Sequence, residues 1–410
     1  MNRKKVVVCY VPGLDLRRIS ADATPTIAEL IRRHSLIELS IIPSTDLTPI
    51  LISGVYPHQS EIWQVSLKAD RTRTIGQRLV DALPDIVTTT AQGVRQRFDP
   101  DFDLAAIPPR RRREFTLHRL SEIQRASRPE IMDEFNGYPT LLSLLETDTR
   151  YMLTLRFRAL PGLIRDIPSD AIGFDFLQMH AFDLYQHWHI DDEAGMREAL
   201  LRTDRFVADL CERCARTGHT LVLLSDHGQD PVERTIPLMQ TLKRSGVPRD
   251  EYSYYCELGM ARLWFHTDRA RDTLKPLIEQ LPDCSLLHYR DMHPYHVCFE
   301  DDAFGEYYVL AQPGTIFFPH DFYQPVANFY LAASGREQRI RMFNPVHRGN
   351  HGYLPHHPSE KGFLVVADDN VTPTRDTMSV IDFAPTMLTY FGVDVPPHMT
   401  GENVLTASTR

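Results

Sequence analysis

Short apolar runs that stop abruptly at polar or turn residues set the rhythm of this 410-residue chain. The first, Val6 to Val11, is β-branched and aromatic and ends at Pro12-Gly13, which predicts a buried central strand running into a loop. Thr24-Pro25 then opens a predicted helix, with Thr24 as N-cap, Pro25 in the first turn, and Ile27, Leu30 and Ile31 on one face. A second strand is predicted over about Ile37 to Ile42. The same strand, loop and helix pattern recurs at Ala171 to Met179, Thr220 to Leu224 and Phe363 to Ala367. A last helix, Val380 to Phe391, stops at Gly392 with Pro396 and Pro397 beyond it.

Strands that alternate with helices in this way imply an α/β core with a mostly parallel sheet. In such sheets the functional groups gather at the carboxyl ends of the strands. The stretch between Ser225 and Phe363 has its own strands, Ala261 to Phe265 and Tyr307 to Leu310, and a helix near Arg269 to Gln280. It is read as a smaller subdomain, about residues 240–345, inserted into a single catalytic domain of residues 1–410.

Composition narrows the function classes. Hydrophobic residues make up 42% and charged residues 24%, enough to bury a large core under a polar surface. A net charge of −9 argues against a general grip on nucleic acid or an anionic membrane. The one strong basic run, Arg110 to Arg113, is predicted as a solvated turn or helix start. The apolar part of the amino terminus is too short for a secretion signal, and no run of about 18 apolar residues predicts a membrane span. Six scattered cysteines do not suggest a disulfide framework, which makes the cytoplasm the expected compartment. Cys211 and Cys214 form a CxxC, but they fall in a predicted helix, Ala208 to Arg216, with no second pair, and are read as structural.

Three polar clusters lie at the ends of predicted strands. Asp183 and His187 follow GFDFLQMH, Asp226 and His227 stand in LLSDHGQD, and His351 stands in RGNHGYLP. Histidine and carboxylate are the ligands of catalytic zinc, and an i to i+4 pair on a helix points both groups the same way. Asp226 and His227 are adjacent, which requires a turning backbone that Gly228 would permit. In the region read as inserted, His320 and Asp321 in FFPHDFY are a further polar pair, read as structural, with substrate contact as the alternative.

The order of these clusters, with PSTDLTPILISGVYP before them and SVIDFAPTMLTYFGVDVP and TGENV after, resembles the alkaline phosphatase superfamily, most of all its nucleotide pyrophosphatase/phosphodiesterase branch. The resemblance runs from residue 6 to about residue 405 and implies a three-layer α/β/α sandwich. It also implies two divalent cations, usually zinc with manganese as the other candidate, that flank a Ser or Thr nucleophile. One cation would take Asp183, His187 and His351; the other would take Asp226, His227, the nucleophile and an aspartate at the end of the first strand. The family's nucleophile stands ten residues before the glycine of a Thr-Gly or Ser-Gly step, here Ser53-Gly54 ahead of Tyr56-Pro57, and the count lands on Ser44. Thr45 and Thr48 are neighbours of the right chemistry, and Ser44 also suits the cap of a helix beginning near Asp46.

Two positions depart from the family pattern. Pro12 stands where the strand-end aspartate should be, and Ser60-Glu61 replaces a His-Gly step. Asp15 is not an obvious substitute for the missing ligand, whereas Asp46 is a conceivable one. The second site should therefore bind more weakly than the first, with nearer one ion than two per chain. Sulfatases share the fold, but Ser44-Thr45-Asp46-Leu47-Thr48 lacks the Pro and Arg of their signature. The resulting expectation is hydrolysis of a small-molecule phosphodiester or phosphomonoester through a phosphoserine on Ser44. A non-catalytic metal-binding relative and a phosphoryl transferase or mutase are the alternatives. Leaving-group pockets should lie in about residues 64–165 and 240–345, where no motif is diagnostic.

Overall fold

Seven strands form the central sheet of the computed structural model: β1 (Val6–Tyr10), β2 (Leu36–Ser40), β3 (Asp148–Thr154), β4 (Ile172–Met179), β5 (Thr220–Ser225), β6 (Lys361–Val366) and β7 (Thr377–Ser379). The structure describes residues 4–44, 46–69, 132–145, 147–165, 172–323 and 344–408, with scattered positions between 83 and 123 and residue 325. The strand order is β7-β2-β6-β5-β1-β4-β3. β1 runs parallel to both β4 and β5, which sets Tyr10 beside Gln178 on one side and Leu224 on the other. β3 with β4 and β2 with β7 are parallel too, while β6 runs against β5 and β2. The sheet is mostly parallel, as the alternation of elements predicts, and its one reversed strand carries no sequence mark of its direction.

Every residue of β1 is buried, which is why it reads as a continuous apolar run. Burial of each large side chain in such a strand stabilises the fold by about 1.5–3 kcal/mol. Alternation sends its side chains to two faces. Val7 and Cys9 pack with Ile27 of α1 (Pro25–Arg33) and with Phe206, Val207 and Leu210. Those three lie on α3 (Glu193–Thr217), which follows α2 (Ala181–His189). On the other face Tyr10 meets Phe176 of β4 edge-on at 5.8 Å, and Phe176 meets Phe383 of α4 (Phe383–Phe391) at 6.2 Å. Helices on both faces make the three layers.

Two local readings change. Thr24 occupies the N-cap position of α1, but its hydroxyl bonds Ser20 instead. The first-turn amides of Thr26 and Ile27 donate to the buried carboxylate of Asp204, at 3.2 and 2.9 Å, so a residue 178 and 177 positions from them, in α3, caps the helix. The predicted final helix starts late: Val380–Asp382 is a 3-10 turn before α4. Cys211 and Cys214 do lie in a helix and pack against the core that holds Cys9. Burial pushes the Cys211 thiol up to about 11 and the Cys214 thiol up to about 12, so both stay protonated and inert.

The chain divides into two compact units, Met1–Ile62 with Arg125–Pro231 and Leu354–Arg410 as the first, and Trp63–Gln124 with Val232–Tyr353 as the second. The region read as 240–345 lies inside the second. That unit holds an antiparallel sheet in the order Tyr252–Cys256, Met260–Phe265, Tyr307–Ala311 and Cys284–His288. The helix Asp268–Glu279 covers it through Ala270, Leu274 and Ile278.

Arg111 corrects the reading of the basic run. It is 4% exposed, its Nε donates to Asp321 Oδ1 at 2.7 Å, and its guanidinium stacks 3.9 Å above the Tyr254 ring. Asp321 Oδ2 in turn accepts from the Cys256 backbone amide at 2.8 Å, so the Asp321 half of the His320-Asp321 pair is structural. The other three arginines of the run lie outside the described residues. Removing Arg111 alone would strand the Asp321 charge in the interior. Arg111→Met is expected to cost about 3–5 kcal/mol by denaturant unfolding. A loss well under 1 kcal/mol would show that water reaches Asp321.

Candidate metal and nucleophile site

The carboxyl ends of β4 and β5, strands that flank β1, carry two of the polar clusters, Asp183 with His187 and Asp226 with His227, in the first unit. β4 leads directly into α2, which carries Asp183 in its first turn and His187 one turn later. Asp183 is 1% exposed. His187 Nε2 lies 3.5 Å from Asp183 Oδ2, and His180 Nε2 lies 3.2 Å from the same oxygen. The Pro12-Gly13 turn after β1 presses against α2. With φ of +77°, Gly13 puts its backbone where a Cβ would stand 3.0 Å from Asp183 Oδ1 and 2.7 Å from Gln186 Nε2. Gln186 Nε2 donates to the Gly13 carbonyl at 2.8 Å and locks that approach.

Asp226 and His227 at the end of β5 are both buried. Gly228 is needed here for a reason other than the backbone freedom read from sequence: its φ is not positive, but a Cβ would meet Asp15 Oδ2 at 2.2 Å. Asp15 itself accepts from the amide and Nε of Arg17, at 2.8 and 2.7 Å, which removes it as a stand-in for the missing strand-end ligand. His227 Nδ1 lies 2.9 Å from the Gly228 carbonyl. A carbonyl only accepts, so Nδ1 carries the proton, and Nε2 faces Asp226 Oδ2 at 3.2 Å. A carboxylate oxygen of Asp183 and a ring nitrogen of His227 lie within 4.8 Å of one another. His227 therefore stands with Asp183, in addition to adjoining Asp226. His351 belongs to the second unit, where it follows the short strand Gly349–Asn350 and is half-buried.

Charges reinforce one another across these strand ends. Burial works to lower the His227 pKa, yet the charges of Asp226, Asp183 and Glu360 together with the Gly228 carbonyl raise it above the usual imidazole value. His180 is raised as well: burial opposes, and the hydrogen bond and charge of Asp183 with the charges of Asp46 and Asp226 prevail. Burial raises the Asp226 carboxyl, against the opposing pull of His227 and the Tyr10 hydrogen bond. An excess of buried carboxylate facing imidazole nitrogens is the donor set a divalent cation would neutralise.

Ser44 is half-buried in the loop after β2. Its Oγ donates to the Asp46 carbonyl at 3.1 Å. It does not cap the next helix, which spans Thr48–Ser53; there Asp46 Oδ1 accepts from the Thr48 amide at 2.9 Å. Thr48 is fully buried and donates to Gln178 Oε1 at 3.0 Å, which removes it from the nucleophile candidates, and Thr45 lies outside the described residues. Through the Thr48 bond the segment after Ser44 reaches Gln178 of β4, the strand partner of Tyr10.

Three residues at these strand ends escaped the sequence reading. His180 was signalled by its spacing, three positions before Asp183 at the mouth of a strand. Tyr10 and Gln229 carried no such mark. Gln229 is 1% exposed, and its Nε2 donates to Asp183 Oδ1 at 2.6 Å and to the Asp183 carbonyl at 3.0 Å. This holds Asp183 Oδ2 toward the imidazoles. Gln229→Ala is expected to weaken zinc binding about 10–100-fold by competition titration, with Gln229→Glu failing to restore it because a second carboxylate repels the first. Unchanged affinity in the alanine variant would remove Gln229 from the support of the site.

The fold has close counterparts among solved structures. Murine ectonucleotide pyrophosphatase/phosphodiesterase 5, solved alone and as an inactive variant in complex with AMP, superimposes with a TM-score of 0.65 over 98% of each chain at 12% sequence identity. The human protein of the same name gives 0.63 over 97% of this chain and 96% of its own at 13% identity. No curated protein matches in sequence. The sequence profile of one family matches residues 11–353, most of the chain, and takes in Ser44, the three clusters and the intervening second unit. On that match the chain belongs to the type I phosphodiesterase / nucleotide pyrophosphatase family.

Proposed function

We propose that this chain hydrolyses a small-molecule phosphodiester or pyrophosphate, with Ser44 as nucleophile and a divalent cation, zinc ahead of manganese, on Asp183 with His187 and His227. Family membership makes the reaction class phosphodiester hydrolysis. The observation that supports the site is Asp183, buried, fixed by Gln229 and set among the imidazoles of His180, His187 and His227. A bound cation would supply positive charge to the phosphate oxygens and lower the cost of the serine alkoxide.

The chain's own groups supply the rest. Ser44 Oγ, oriented by its bond to the Asp46 carbonyl, attacks phosphorus; the Oγ–P bond forms as the bond to the leaving oxygen breaks, and the hydroxyl proton goes to that departing oxygen. Water then cleaves the phosphoserine and restores the hydroxyl. The complex of the murine relative with AMP supports a nucleotide-type substrate here. The cytoplasmic setting expected from the scattered cysteines is part of this proposal.

A substrate panel tests this reading. Bis(p-nitrophenyl) phosphate and a dinucleotide pyrophosphate are expected to turn over faster than p-nitrophenyl phosphate. A preference for the monoester would contradict the diester assignment, and no turnover of any of them would favour the non-catalytic alternative.

A further inference from the structure

The family pattern places a second cation on Asp226, His227, the nucleophile Ser44 and the strand-end residue, and the residues present here do not fit it. Pro12 has no side-chain donor atom. Asp226 is already engaged. Its Oδ2 accepts the Tyr10 hydroxyl at 2.5 Å and lies 3.2 Å from His227 Nε2; its Oδ1 accepts the His227 amide at 2.9 Å and the Gly13 amide at 3.3 Å. A carboxylate offers about four lone-pair sites; the Tyr10 hydroxyl and the His227 and Gly13 amides donate to this one, and the His227 ring stands against Oδ2 beside them. Tyr10 cannot swing aside cheaply. It is fully buried at the end of β1, held between strands β4 and β5, with its ring edge-on to Phe176 at 5.8 Å.

We infer that the Tyr10 hydroxyl takes the place of the second cation, which makes this chain a single-cation member of its family. The inference rests on the functional reading above for the first cation. The phenol O–H directs its positive end at Asp226, as a cation would, and satisfies a charge that Pro12 leaves without its usual partner. Loss of the strand-end carboxylate and gain of the Tyr10 bond are then one change: the strand that lost a ligand carries the hydroxyl that closes the gap, two residues earlier.

Cobalt(II) titration of the metal-free full-length protein, followed by its visible absorption and by elemental analysis after gel filtration, reads the number of sites directly. One equivalent is expected in the unaltered protein. Pro12→Asp alone should still saturate at one equivalent, because Tyr10 continues to hold Asp226. Pro12→Asp combined with Tyr10→Phe should bind a second. Two tightly held ions in the unaltered protein would overturn the inference and leave the functional reading standing; loss of one of them in Asp46→Ala would identify the carboxylate responsible. No bound ion at all would overturn both. A folded double variant that stops at one equivalent would remove Tyr10 from the explanation. Should that variant not fold, the count in the unaltered protein still decides between one site and two.

Discussion

Ser44→Ala is expected to lower phosphodiester turnover by on the order of 1,000-fold or more, because it removes the hydroxyl proposed to attack phosphorus. Metal content and thermal stability should change little. The Ser44 hydroxyl makes its hydrogen bonds within its own loop, to the carbonyl and amide of Asp46 at 3.1 and 3.4 Å, and caps no helix. Quenched turnover of the unaltered enzyme should also leave a phosphate adduct on the peptide that carries Ser44, and the alanine variant should show none. If Thr45→Ala abolishes turnover while Ser44→Ala does not, the nucleophile is the neighbouring residue.

Asp183→Ala should be as damaging by a different route. It removes the carboxylate that stands with the imidazoles of His180, His187 and His227, and with it the acceptor that Gln229 fixes. Zinc affinity is expected to fall by more than about 100-fold, beyond what loss of a supporting hydrogen bond costs. Unlike the serine variant, this one should lose metal and activity together, and excess zinc should restore part of the activity. Retention of the metal at unaltered affinity would place the cation elsewhere.

The features legible in the sequence are those encoded by short-range pattern. Val6 to Val11 reads as a strand because burial on both faces leaves no polar position in it, and Asp183 and His187 read as a pair because one helical turn separates them. What the sequence hides depends on distant partners. Asp204 caps α1 from another helix, Arg111 looks like one of four surface arginines until Asp321 and Tyr254 enclose it, and Tyr10 looks like one more core aromatic until Asp226 meets its hydroxyl. Gly228 shows an intermediate case. Its position was legible and its reason was not, since the crowding comes from Asp15 on another strand's loop. The resemblance divides the ligands between two cations by cluster, and it cannot report that His227 stands with Asp183.

The central claim is metal-dependent cleavage of a phosphodiester by this chain. Its most direct test is hydrolysis of bis(p-nitrophenyl) phosphate by purified protein before and after chelation, then with one equivalent of zinc or manganese restored. Activity that disappears with chelator and returns with one equivalent of metal is the predicted result. Activity that survives complete removal of metal, or a protein that binds the metal and cleaves nothing, would contradict it.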